Sequence, residues 1–103
     1  MSDWNSINDF CKQSLSYDFV VLNAGGMPDS LIVNNFNVEH QCASQLIGHY
    51  YLILCLNQNG SLKENARIIW VSSGGMYLKK LDLQNLFHNK NYEKVSTLSL
   101  IHI

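Results

Sequence analysis

The order of apolar runs and turn residues predicts an α/β fold: the central βαβ portion of a Rossmann-like, doubly wound parallel sheet. Two observations supply the strands. Residues 18–22 (Asp-Phe-Val-Val-Leu) empty into Asn23-Ala24-Gly25-Gly26, and residues 67–71 (Arg-Ile-Ile-Trp-Val) empty into Ser72-Ser73-Gly74-Gly75. Short uninterrupted β-favouring runs of this kind are expected of parallel strands covered on both faces. The third observation lies between them: residues 38–56 repeat apolar side chains at three- and four-residue steps, the period of a long helix. Strand, helix and strand in that order make a right-handed crossover. Both glycine turns then fall on one sheet edge, at the carboxyl ends of the strands, where open α/β sheets hold their ligands.

The remaining elements follow in chain order. Ser2 or Asp3 can cap a first helix that carries Trp4, Ile7, Phe10 and Cys11 on one face and ends at Leu15-Ser16-Tyr17. Residues 23–35 are rich in Gly, Asn and Pro and read as a loop. In the long helix the inward stripe is Cys42, Leu46, His49 or Tyr50, Ile53 and Leu56. Asn57-Gln58-Asn59-Gly60 stops it, with Gly60 as C-cap. Leu81, Leu83, Leu86 and Phe87 suggest a short helix or turn. With two clear strands against an average of about 5–6 per sheet, the chain reads as a piece of a domain.

Composition narrows the function classes. The 103 residues are 47% hydrophobic and 15% charged, which is globular. Seven basic and eight acidic residues give a net charge of −1. No basic cluster exceeds Lys79-Lys80, which argues against a nucleic-acid or acidic-membrane surface. The apolar stretches are too short for a membrane span, and Met1-Ser2-Asp3-Trp4 has no signal-peptide character. Three widely spaced cysteines, Cys11, Cys42 and Cys55, fit buried thiols in a reducing, cytoplasmic setting. His40 and His49 are not spaced as paired ligands on one helix, and no Cys-x-x-Cys or His-Glu-x-x-His occurs, so no metal site is expected. His49 reads as a helix–sheet packing residue with a polar partner for its ring. Gly74 and Gly75 suit positive φ beside a ligand.

With both turns in view, the chain resembles the short-chain dehydrogenase/reductase family. Leu22-Asn23-Ala24-Gly25 is similar to its Asn-Asn-Ala-Gly strand motif, with Leu in place of the first Asn. Gln45-Leu46-Ile47-Gly48-His49-Tyr50-Tyr51-Leu52 is similar to its Asn-x-x-Gly-His-Phe-x-Leu helix motif. Arg67-Ile68-Ile69-Trp70-Val71-Ser72-Ser73 resembles the strand that delivers the active-site serine. The run Val71-Ser72-Ser73-Gly74-Gly75-Met76, with Lys80-Leu81 after it, is most similar to the subgroup of dehydrogenase/reductase family member twelve. Met1-Ser2-Asp3 matches an internal segment there, so Met1 need not be a true start.

The resemblance, which runs to about Thr97, implies a parent that moves hydride between NAD or NADP and a small-molecule carbonyl or alcohol. It leaves a homo-oligomeric parent open. It implies that Ser73 hydrogen-bonds the substrate oxygen and that Asn23, Ala24 and Gly25, with Ser72, line the cofactor. Gln45 stands at the position of a catalytic Asn; it keeps the amide and adds a methylene. Read as residues alone, without the companion motifs, Ser72-Ser73 is a polar turn and Asn23-Ala24-Gly25 can be an ordinary strand ending.

Two family elements are missing. No G-x-x-x-G-x-G turn occurs; in the family it seats pyrophosphate on a helix N-terminus. No Tyr-x-x-x-Lys occurs either: four residues after Tyr17, Tyr50, Tyr51, Tyr77 and Tyr92 stand Val21, Leu54, Cys55, Leu81 and Ser96. In that pair the lysine lowers the tyrosine's pKa until it can exchange a proton near neutrality, which a serine cannot do. The 103-residue chain is therefore expected neither to bind the cofactor appreciably nor to turn over. The tyrosine would fall near Leu98, where the chain reads Leu98-Ser99-Leu100-Ile101-His102-Ile103. Those residues translate CTG-TCT-CTT-ATA-CAC-ATC, the end of a widely used transposon-based sequencing adaptor. Residues 1–97 are thus expected to be dehydrogenase-domain sequence and 98–103 a non-native tail; a native amphipathic strand is the alternative. Two other readings stay open: a non-catalytic Rossmann-like interaction or regulatory domain, supported by Gln45, and a truncated assembly product without function.

Overall fold

The computed structural model describes residues 1–13, 15–27 and 29–73. The expectations for Gly74, Gly75, Lys79, Lys80, the 81–87 turn and the 98–103 tail lie outside the described residues.

Helix α1 (Trp4–Cys11) begins where Asp3 accepts the amides of Asn5 and Ser6 at 3.1 and 3.4 Å. An N-cap carboxylate of this kind satisfies donors that the first turn leaves orphaned. Ile7 and Cys11 face inward and form the core with Cys55 and Leu56. Phe10, expected on the same face, is exposed and lies over Tyr17 at a ring separation of 6.5 Å. Its position falls past the edge of the buried stripe that Ile7 and Cys11 set four residues apart.

The long helical run starts at His40. Glu39 precedes it, fully buried, and its two carboxylate oxygens accept the amides of Gln41 and Cys42 at 2.8 and 2.9 Å. The first part, Cys42–Gly48, is a π-helix, and the run continues as α2 (His49–Gln58). Gly48 lies where a Cβ would collide with the Met1 carbonyl oxygen and come within 2.9 Å of the Ala43 carbonyl oxygen. Ala43 also receives the Trp4 indole N–H at 3.0 Å, so the N-terminus is laced to the wide turns. Of the two alternatives in the inward stripe, His49 is buried and Tyr50 is exposed; Cys42 and Leu56 are buried, and Leu46 and Ile53 half-buried. The π turns shift the phase of the helix relative to a pure 3.6-residue period. Asn59 caps α2, one residue before the expected position, and Gly60 follows at φ +69°, the left-handed conformation glycine adopts freely. The Asn59 side-chain amide donates to the Cys11 carbonyl at 2.6 Å, tying the ends of the two helices together.

β1 (Tyr17–Leu22) and β2 (Leu62–Trp70) pair in parallel, with Phe19, Val20, Val21 and Leu22 opposite Arg67, Ile68, Ile69 and Trp70. β2 begins well before the apolar run. Tyr17 pairs with Leu62, and the register shift before Phe19 takes up extra residues in β2, where Asn65 has φ +61°. Asparagine tolerates that conformation better than most side chains. Alternation along paired strands puts Val20, Leu22, Ile68 and Trp70 on one face and Phe19, Val21, Arg67 and Ile69 on the other. The first face meets the helices through Val20 and Leu22 and through the Trp70 ring against His49, while Ile68 is exposed and Trp70 partly so. The second corrects the expectation of strands covered on both faces: Phe19, Val21 and Ile69 are exposed among the described residues.

Candidate functional site

The two turns sit side by side because the strands that carry them are parallel and in register to their ends. The Val71 amide donates to the Leu22 carbonyl at 3.1 Å, extending the ladder one step past Trp70. A cavity of about 260 Å³ opens just beyond. Asn23, Ala24, Gly25, Gln45, Ser72 and Ser73, the six residues singled out from sequence, all line it, together with Leu22, Gly26, Met27, His49 and Val71. Three separate segments, far apart in the chain, thus meet at one sheet edge.

Gln45 is the brace of this arrangement. It is 5% exposed, and its Nε2 donates to the Gly26 carbonyl at 2.8 Å. The amide therefore reaches across from the π-helical segment and holds the turn. A Cβ on Gly25 would lie 2.8 Å from Gln45 Cδ and 2.9 Å from Nε2, closer than side chains tolerate. A side chain at 25 would push the Gln45 amide aside and so disturb its bond to Gly26. At Gly26 a Cβ would meet nothing within 4 Å. The two glycines differ in what they leave free: one makes room for the helix, the other leaves the turn open to solvent.

His49 borders the same cavity. It is 3% exposed and meets Trp70 edge-on at 5.8 Å, so the helix–sheet packing expected of it is present. Its place on the cavity wall was not foreseen; the signal available was its four-residue spacing from Gln45. Met27 was also missed, because a lone methionine in a loop carries no motif. Among the lining residues His49 is the single titratable side chain. The rest are neutral hydroxyls, an amide, backbone groups and apolar carbon. Such a wall can orient an oxygen through hydrogen bonds, and the hydroxyls and amide add no proton carrier for neutral pH.

A second cavity of about 400 Å³ shares residues 24–27 as a common wall and is closed by Met1, Ser2, Ile32, His40 and Ser44. The Ser44 hydroxyl donates to the His40 carbonyl at 2.7 Å, so that hydroxyl is turned toward its own helix. The three cysteines are buried, as expected. Burial, with the Glu39 carboxylate nearby, pushes the Cys42 thiol up to about 11. A thiol so protonated serves in packing at neutral pH, and any thiolate chemistry it does is slow. Among the described residues no helix is long and apolar enough to cross a membrane, and no three His, Cys, Asp or Glu side chains gather as metal ligands.

No protein-family model matches the chain, and no curated protein matches it. Among solved structures, the crystal structure of an uncharacterized protein from Mycobacterium Paratuberculosis is similar, with a TM-score of 0.78 and 21% identity over 96% of this chain. The match covers 35% of that protein, so this chain spans about a third of its neighbour's length. At this identity the likeness is one of fold.

Proposed function

We propose that this chain is part of an NAD(P)-dependent oxidoreductase of the short-chain dehydrogenase/reductase type, built on a Rossmann-like sheet and acting on a carbonyl or alcohol. One observation carries the reading. The six residues drawn from three sequence motifs border a single cavity at the carboxyl ends of two parallel strands, which is where a cofactor and substrate meet in such sheets.

In this reading Ser73 orients the substrate oxygen by a hydrogen bond. Asn23, Ala24 and Gly25, with Ser72, form the wall along the cofactor, and Gly26 presents backbone with no side chain in the way. The neutral wall and the open turn fit a sugar–nicotinamide moiety. When bound, the nicotinamide would supply or accept the hydride. Gln45 holds the turn against the helix and so fixes the wall's position. The proton-transferring Tyr-x-x-x-Lys and the pyrophosphate-binding glycine turn are not in this sequence, so the activity belongs to a longer parent.

The test is the parent's complete coding sequence followed by assay. A glycine-rich turn upstream and a Tyr-x-x-x-Lys downstream are expected, along with NADPH- or NADH-dependent carbonyl reduction. Ser73→Ala is expected to lower kcat by about 100-fold or more with cofactor affinity retained. A parent lacking either motif, or one indifferent to Ser73→Ala, overturns the reading. One observation favours the second reading, a non-catalytic Rossmann-like interaction or regulatory domain. The Gln45 amide is committed to the Gly26 carbonyl, so at the position of the family's catalytic Asn this chain carries a structural brace.

A further inference from the structure

We propose that Cys11 and Cys55 are an oxidation-responsive thiol pair that closes to a disulfide between α1 and α2. The two residues belong to one buried cluster, in which α1 packs on α2. Cys11 Sγ also sits 4.0 Å from the carbonyl of Leu52, one turn before Cys55. The backbone is pinned on both sides of the pair. The carbonyl of Cys11 is held at 2.6 Å by Asn59, one turn after Cys55, so the helices cannot drift apart without losing that bond. Cys42 is excluded by geometry. It lies on the same continuous helical run as Cys55, roughly 15–20 Å away along the axis, and its surroundings are Glu39 and the first π turn.

The oxidant class is a small hydroperoxide, because Cys11 is 1% exposed and Cys55 7%. Cys55, the more accessible, attacks the peroxide oxygen; the O–O bond breaks, and Cys55 becomes a sulfenic acid with release of water. The Cys11 sulfur then attacks the Cys55 sulfur, the S–O bond breaks, and a second water leaves with the proton from Cys11. In sum, two thiols lose two electrons and two protons, and one hydrogen peroxide is reduced to two waters. Burial and the neighbouring Cys55 push the Cys11 thiol up to about 11, which makes the closing step slow near neutrality. The pair therefore answers sustained oxidant rather than a brief pulse. The crosslink would fasten α1 to the helical run that carries Gln45.

The experiment uses the full 103-residue chain, treated with hydrogen peroxide in buffer and, in parallel, in concentrated urea. Remaining thiols are alkylated and disulfide-linked peptides mapped by mass spectrometry. In buffer the expected product is a single Cys11–Cys55 linkage with Cys42 alkylated, and a thermal midpoint higher by about 10 °C or more. In urea the shorter Cys42–Cys55 loop is expected to dominate, because loop closure favours it. Cys42→Ala is expected to leave the native crosslink intact. The proposal fails if the buffer sample gives Cys42–Cys55. It also fails if all three thiols stay unlinked in buffer after the urea sample has oxidised fully, or if Cys55 stops at sulfinic acid. Because the linkage is read on the unmodified chain, a variant that misfolds does not obscure it.

Discussion

The two faces of β1 are made of the same kind of residue and stand in opposite circumstances, whereas on β2 Ile68 and Ile69 are exposed alike. Leu22 is 3% exposed under the helices, while Val21, its chain neighbour, is 57% exposed on the other face. Both belong to one uninterrupted apolar run. Composition therefore encodes how a strand wants to be covered, and packing decides which half of that demand is met. The covered half is also the half that builds the cavity: Trp70 on that face meets His49 on α2, and Gln45, one turn earlier, reaches the Gly26 carbonyl.

This contrast can be broken most directly by truncation. Leu22→Ala is expected to cost about 2–4 kcal/mol, as for a buried leucine, and Val21→Ala less than about 1 kcal/mol. Urea unfolding of both variants measures the difference; equal costs would mean that the outer face is covered too. The next effect in size is a pH dependence confined to the buried side. Cys42 has its thiol pKa raised from 9.0 to about 11. A raised pKa means the folded state favours the protonated thiol. Its contribution is full below pH 9 and is lost as pH rises toward 11. Thermal midpoints should fall across that window, and less steeply in Cys42→Ala. The smallest effect belongs to the exposed strand pair Lys63–Asp18, at 3.1 Å. Lys63→Ala is expected to shift stability by under about 0.5 kcal/mol and to do so only at low salt. A larger loss would show that the bulged start of β2 depends on that pair.

Much of this was legible in the residues. The Asp3 cap, the two apolar strand ends, the parallel βαβ order and the two turns at one edge follow from spacing and turn chemistry, while Gln45 and Ser73 were singled out through the family resemblance. What escaped did so for physical reasons. The residues that follow Leu62 at the start of β2, Lys63, Glu64 and Asn65, are polar, and a bulge with a left-handed Asn65 has no periodic signature. The π-helical segment sets the phase of later side chains, and it decided between His49 and Tyr50 on the inward face, which spacing had left open. Glu39 was missed as a helix cap because a buried glutamate is rare, and its role is visible once both carboxylate oxygens are seen on backbone amides. Met27 and His49 entered the cavity wall by tertiary placement, which no local pattern records.

The bond from Gln45 to the Gly26 carbonyl also sets an equilibrium. The turn cannot leave the helix without stranding a buried amide, at a cost of about 1–3 kcal/mol. That corresponds to roughly one molecule in five to one in a hundred and fifty with the turn detached at any instant. The shape of the cavity wall is thus tied to the position of the π-helical segment, and a shift in one is felt by the other.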